Sequence, residues 1–390
     1  MLRAPVNLTI RNCVLSANTG GLRGGAIVFS GGVLRIDGST VSGNVAAAMF
    51  ARGGAICMDV GNVPSVATIA NSMFSSNVVY TDVLNNDAFN LVQPAARSGF
   101  ELPDPPPMLF GSGTGGAIFA SANVSLALTI SNCTFANNSA TVGGAALSIP
   151  DSVGPIFLSV TGCTFTGNSA AAGNGSVAAL GSNVAAVFSG CSFLRNSALN
   201  GGVFSLSGSG SSTMVIDSSL GFNSASQAGG VAVLTSASHS LNLTRSSVYG
   251  NTAFGGALAF FSAGMTTAAP LALSALTLTG NTASAGALYF STSASVVSPP
   301  CSFCIATGNG ASLYGPTIAT LPTVVNASAP TAARSGRALT PVAVSLFDAY
   351  GQQVQGWPDL LVALAAPPSF GGLSGGTKVD FANGSACLTC

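Results

Sequence analysis

The chain has 390 residues and no net formal charge at pH 7; 6% of its residues are charged and 48% are hydrophobic. Its basic residues are Arg apart from Lys378 and form no stripe, so neither nucleic acid nor an anionic bilayer is a natural partner. No uninterrupted apolar run reaches the roughly 18 residues of a membrane-spanning helix, so the hydrophobicity must be buried inside the protein.

The N-terminus, Met1 to Ile10, lacks signal-peptide architecture and leads straight into a first unit at Cys13, Leu15 and Asn18. An asparagine then recurs as Asn44, Asn77, Asn138, Asn168, Asn196, Asn223, Asn251, Asn281 and Asn309, in steps of 26, 33, 61, 30, 28, 27, 28, 30 and 28 residues. A fixed period between about 20 and 50 residues is the signature of a stacked repeat.

Residues 156–184 show one unit: Phe157 to Val160, a turn at Thr161-Gly162, Cys163-Thr164-Phe165, a turn at Gly167-Asn168-Ser169, and an Ala/Val-rich stretch after Gly175. This reads as three short strands and three turns. Cys163 and Phe165 are two apart, so a strand sends both to one face; Cys133/Phe135 and Cys191/Phe193 repeat the pair. No run is long enough or free enough of Gly for a helix.

The fold class expected is therefore all-β: a right-handed parallel β-helix, triangular in section, of about ten coils over residues 1–315. Phe74, Phe135, Phe165 and Phe193 should point inward in register, and Cys133, Cys163 and Cys191 should form a column of small buried hydrophobes. The asparagines should form an amide ladder and take the left-handed turn conformation, while Gly-Gly supplies positive φ. The apolar stretch Ala253 to Leu278 reads as solenoid wall.

The long step contains an inserted loop at 78–114, with Asp82, Asp87, Glu101 and Asp104 and five prolines. It should leave the solenoid without adding a coil. Those four acids are candidate binding residues, because insertions in solenoids often line the binding face; a proline-rich spacer is the plainer alternative.

The halves Gly24-Gly25-Ala26-Ile27, Gly53-Gly54-Ala55-Ile56 and Gly115-Gly116-Ala117-Ile118, with Phe74-Ser75-Ser76-Asn77, Phe135-Ala136-Asn137-Asn138, Phe165-Thr166-Gly167-Asn168 and Phe193-Leu194-Arg195-Asn196, resemble the GGAI and FxxN repeats of the chlamydial polymorphic outer membrane proteins. The resemblance covers about residues 12 to 315; similar repeats occur in large surface proteins of green algae and other microbial eukaryotes. It implies a secreted or surface-displayed β-helical passenger with a role in adhesion.

From Pro316 the asparagine register ends. Pro341 to Gly351 alternates like a strand running into an Asp-x-x-Gly turn, and residues 316–390 are similar to the start of an immunoglobulin-like β-sandwich, truncated at Cys390. Both chain ends read as those of a piece of a longer gene product. Cys301 and Cys304 are candidates for a local disulfide.

Chemistry is sparse. Asp37, Asp59, Asp151 and Asp217 lie scattered in different phases of the repeat, with no Asp-Asp pair, and His239 sits in a Ser-rich stretch as a solvated turn residue. No catalytic residue, metal site or cofactor is expected. Sequons at Asn7, Asn123, Asn137, Asn174, Asn242, Asn326 and Asn383 suit a glycoprotein; the sequon at Asn132 lies beside an inward-facing cysteine, where a glycan would not reach. The expected role is a non-catalytic extracellular or cell-surface adhesion module whose partners are wall or matrix glycans or surface proteins. The alternative is a polysaccharide lyase or glycoside hydrolase on a pectin-lyase-like β-helix.

Overall fold

The computed structural model describes residues 5–48, 50–80, 113–261, 271–292, 301–328, 342–354, 361–363, 378–380 and 385–388. Every regular element among them is a strand, and four parallel sheets of ten strands each hold all the described strands between Val6 and Thr320. The chain visits the sheets in turn and returns one layer further on, a right-handed parallel β-helix.

Each coil crosses four sheets rather than the three expected. In the coil of Phe165 the strands are Ile156–Thr161, Thr164–Thr166, Ser169–Asn174 and Ala178–Leu180. Ser169–Asn174 is the strand that the sequence hides. Its inward residue is Ala170, stacked between Ala140 and Ala198, so no large apolar residue announces it. The wall approaches the core closely there, and alanine is what fits.

The second sheet carries the aromatic column. Phe74, Phe135, Phe165 and Phe193 are fully buried, and successive rings stack at 5.0, 5.0 and 5.2 Å between centroids. In later coils Leu220, Val248 and Leu278 take the same slot. The repeat distance is thus the ring-stacking distance, close to the roughly 4.8 Å between hydrogen-bonded strands.

Each ladder asparagine from Asn44 to Asn281 is fully buried. Asn168 shows how one is held: its Oδ1 accepts both the backbone N–H and Nδ2 of Asn138, at 3.1 and 3.0 Å. Its own Nδ2 donates to Asn196 Oδ1 and to the Phe135 carbonyl, both at 3.0 Å. That last bond explains the FxxN spacing, because each asparagine satisfies the carbonyl of the aromatic slot one coil back. No buried side-chain N or O lacks a partner among the described residues.

The left-handed conformation belongs to the residue before each ladder asparagine, a correction to the expected turn. Ala17, Ser76, Asn137, Gly167 and Gly250 have φ of 55, 53, 54, 62 and 60°. Placing the bend one residue earlier leaves the asparagine N–H and amide aligned along the axis. The glycine pair behaves as expected at its first member: Gly53 has φ 65°, and a Cβ there would lie 2.0 Å from the Ile56 carbonyl oxygen.

Cys133, Cys163 and Cys191 are buried in one column, which they share with Ser72, Ser218 and Ser246. The slot asks for a small side chain that can accept a hydrogen bond: Cys163 Sγ takes the Cys133 N–H at 3.3 Å, and Ser218 Oγ takes that of Cys191 at 3.0 Å. Burial pushes the Cys191 thiol up to about 11, so it stays protonated at neutral pH.

Strand pairing passes directly across the long step. Ser65–Ala70 pairs with Leu126–Ser131, Met73–Ser75 with Thr134–Ala136, and Val78 with Ser139, leaving no rung between them. Val78–Tyr80 stays on the wall and Thr114 bridges Arg52 and Gly143, so both ends of the expected 78–114 loop belong to the solenoid; its residues 81–112 lie outside the described residues.

At the far end Ile318–Thr320 is still a solenoid strand, paired with Tyr289–Ser291. Val342–Asp348 then pairs antiparallel with Pro322–Ser328 and Ser385–Leu388. Its Asp-x-x-Gly turn forms as read: Asp348 Oδ1 accepts from the N–H groups of Tyr350 and Gln352, and Gly351 has φ 72°. Leu346 and Val354 pack with Ala285, Phe290, Tyr314 and Ala319, while Gln352 Nε2 reaches the Ile318 carbonyl at 2.8 Å. The turn therefore covers the last strand of the fourth sheet, whose edge would otherwise be open to pairing.

Candidate functional site

The described carboxylates are engaged one by one. Asp37 accepts from Asn71 Nδ2 at 2.9 Å, and Asp59 is paired with Arg23 at 2.6 Å and reached by Ser121 at 3.3 Å. Asp151 Oδ1 accepts from the N–H and hydroxyl of Ser182 at 2.7 and 2.8 Å. Asp217 holds Arg245 bidentately at 2.8 and 2.9 Å, and that guanidinium keeps its carboxyl below the usual value.

Sequence separation hides one lateral relation. Asp59 and Asp151 both line a shallow depression of about 500 Å³ with Arg52, Phe119 and Asn123, two acids that the repeat register assigns to unrelated phases. Asp59 aligns with Ser121 in the fourth sheet, and Asp151 follows the strand one coil beyond. Arg52 also lies over the Phe119 ring, 5.1 Å from its centroid. No group of three or more His, Cys, Asp or Glu side chains suited to a metal ion occurs among the described residues.

His239 is not a solvated turn residue. It opens the strand His239–Thr244 and is fully buried, stacked on Ser211 in the inward column that holds Leu126, Ile156 and Val184 in earlier coils. Its Nδ1 lies 2.9 Å from the Ser207 carbonyl, which can only accept, so Nδ1 carries the proton. Nε2 lies 3.0 Å from Thr213 Oγ1 and accepts from that hydroxyl. Desolvation by burial lowers the pKa, keeping the ring neutral. The surrounding serines disguised it: Ser236 and Ser238 precede the strand in a turn, where Ser238 is exposed, and Ser240 faces outward from the strand.

The outward positions of the second sheet carry hydroxyls in most coils: Thr134, Thr164, Ser192, Ser219, Ser247 and Thr277 form one column along the rod, separated from Thr40 by Met73. A second column starts the third sheet as Ser139, Ser169, Ser197, Ser224, Thr252 and Thr282. Neither column contains a charged residue. At the corner between these sheets Phe222 is 54% exposed, with Tyr249 edge-on at 5.3 Å and Arg195 over its ring at 5.9 Å.

Asp82, Asp87, Glu101 and Asp104 lie outside the described residues, as does Asn383. Asn7, Asn123, Asn137 and Asn326 are exposed; Asn174 and Asn242 are half-buried and bonded to Asn200 and Thr244. Asn132 is exposed too, contrary to expectation, because its φ of 51° swings the side chain out at the corner before Cys133. Cys301 and Cys304 are joined by a disulfide. No described helix is long and apolar enough to cross a membrane. Comparison with known protein families, curated proteins and solved structures gives no match to this chain.

Proposed function

We propose that the chain is a non-catalytic structural and adhesive module of an extracellular or cell-surface protein, a stiff rod that presents long, uncharged, hydroxyl-bearing faces to matrix glycans or surface proteins. The observation that carries this reading is the pair of hydroxyl columns on the second and third sheets, which repeat at coil spacing on a backbone held by buried asparagines. Such a face offers many weak, evenly spaced hydrogen bonds, which suits multivalent attachment better than turnover. The GGAI and FxxN resemblance supports the same role. The antiparallel strands from Pro322 onward support reading the chain beyond Thr320, a boundary later than the expected 316, as the start of an immunoglobulin-like domain in a modular chain.

The test is immobilised protein against a panel of wall and matrix glycans and surface proteins, with product analysis for new reducing ends or unsaturated sugars. Retention without turnover is expected. Absence of binding across the panel would contradict the role.

A glycoside hydrolase is the second reading, favoured by the depression that Asp59 and Asp151 share. Inverting hydrolysis needs two carboxylates about 6.5 to 9.5 Å apart on opposite sides of the bond. Turnover that disappears in both Asp59→Asn and Asp151→Asn, with folding intact, would replace the adhesive role by this one.

A further inference from the structure

We propose that the face of the second sheet between Ser192 and Tyr249 binds a neutral polysaccharide, with Phe222 as the ring that stacks on a sugar and the Asp217–Arg245 pair as the groups that meet its hydroxyls. This rests on the adhesive reading and gives it a location and a ligand class.

Phe222 is the starting point. It occupies the left-handed corner before Asn223, with φ 55°, where the other coils place Ala17, Ser76, Asn137, Arg195 or a glycine (Gly43, Gly167, Gly250, Gly280, Gly308). Glycine suffices there in several coils, so folding does not call for a phenylalanine. A bulky side chain at positive φ is a strained choice, and strain of this kind gathers where a side chain has a task. The residue is more than half exposed to solvent.

The neighbouring coils are shaped around it. A Cβ on Gly250 would come within 2.7 Å of the Phe222 ring, and one on Gly221 within 2.4 Å of the Tyr249 ring. Both glycines leave space that an aromatic fills. Tyr249 meets Phe222 at 90°, and the Arg195 guanidinium lies over the ring, so the group is braced from the coils before and after.

Across the same strands the face changes character. Ser219 and Ser247 lie in the middle, and the Asp217–Arg245 pair stands at the opposite corner with side chains 51% and 58% exposed. Asp217 and Phe222 are five residues apart, at most about 16 Å of extended chain, the span of a short oligosaccharide. A pyranose presents C–H groups on its faces and hydroxyls around its rim. The aromatic corner suits the first, while the serines and the ion pair suit the second. Arg245 is already paired with Asp217, and the remaining cation of the face, Arg195, is turned over the Phe222 ring, so the face has no row of cations to hold an acidic chain, which favours a neutral one.

The experiment uses the whole chain with cellohexaose, xylohexaose and mannohexaose as neutral probes and hexagalacturonate as the acidic one. Affinities come from calorimetry, and saturation-transfer NMR from the aromatic protons identifies the stacked sugar face. One of the neutral probes should bind and receive saturation on its C–H protons. Phe222→Gly should weaken that binding at least tenfold while the melting temperature holds or rises; Arg245→Gln should weaken it several-fold. Binding within twofold of the parent in Phe222→Gly would overturn this site but leave the adhesive role standing, as would preference for hexagalacturonate or binding to proteins alone. Failure to bind every glycan and protein of the panel would overturn both.

Discussion

Between Cys133 and Asn196 the solenoid repeats itself almost slot for slot: Phe135, Phe165 and Phe193 stack, Cys133, Cys163 and Cys191 share a corner, and Asn138, Asn168 and Asn196 hand one amide to the next. Between Ser205 and Gly250 the backbone register continues but the contents change. Leu220 and Val248 take the aromatic slot, Thr213 and His239 bring polar atoms into the core, and Phe222 occupies a corner that suits glycine. The asparagines alone do not change: Asn196 donates to Asn223, and Asn223 to Asn251, through side-chain bonds of 3.0 Å. The frame therefore depends on its amide ladder, tolerates substitution in its apolar columns, and can give up a regular slot to a specific side chain.

The most damaging test of that ordering is Asn168→Ala. It removes four buried hydrogen bonds at once: the Asn138 N–H loses its acceptor, the Phe135 carbonyl loses its side-chain donor, and Asn138 Nδ2 and Asn196 Oδ1 each keep only one of two partners. At about 1 kcal/mol for each buried hydrogen bond lost, with a further penalty for the unsatisfied N–H, a loss of about 4 kcal/mol or more is expected in denaturant unfolding. The same change at Asn309, in the last rung and only partly buried, should cost less than half as much. Equal losses would contradict the ladder's cooperative role.

Next in size is Phe165→Ala, expected to cost about 3 to 5 kcal/mol because the ring is fully buried between two others. Phe165→Leu should cost less than half of that, since Leu220 and Leu278 already fill the slot. A leucine as harmful as the alanine would show that the aromatic stack itself, rather than filled volume, holds the central coils.

His239 sharpens the comparison through pH. Its folded pKa is lowered from an ordinary value near 6.5, so the unfolded chain binds the proton more readily. Its contribution to stability is complete above about pH 6.5 and falls away as pH drops from there toward the folded value. His239→Leu with Thr213→Val removes the buried polar pair together and should flatten that part of the stability curve. An unchanged acid slope in the double variant would exclude His239 as its source.

The smallest effect is expected from replacing residues 81–112 with a short Gly/Ser linker. Because the strands on either side already pair, the melting temperature should move by only a few degrees. A collapse of folding would contradict direct pairing across the step.

Much of this was legible in the sequence because slots in a solenoid keep both phase and chemistry. The Asn register and the two-residue Cys/Phe spacing were enough to place the second sheet and the ladder. Ser169–Asn174 escaped because its inward residue is only Ala170, and His239 because the serines beside it face outward. The Asp59 and Asp151 neighbourhood was invisible for another reason: adjacency across coils depends on register and on the inserted step between them, which linear spacing does not convey. Phe222 sits one residue before a ladder asparagine, where only the positive φ reveals that a phenylalanine is out of place.

The central claim is that scaffold and site are separable, and one paired measurement on Asn168→Ala and Phe222→Gly tests it: melting temperature and oligosaccharide affinity at a temperature where both variants are folded. The account expects Asn168→Ala to melt well below the parent yet bind a neutral oligosaccharide as the parent does, and Phe222→Gly to melt at or above the parent while binding at least tenfold more weakly. Stability and affinity falling together in both variants would contradict it.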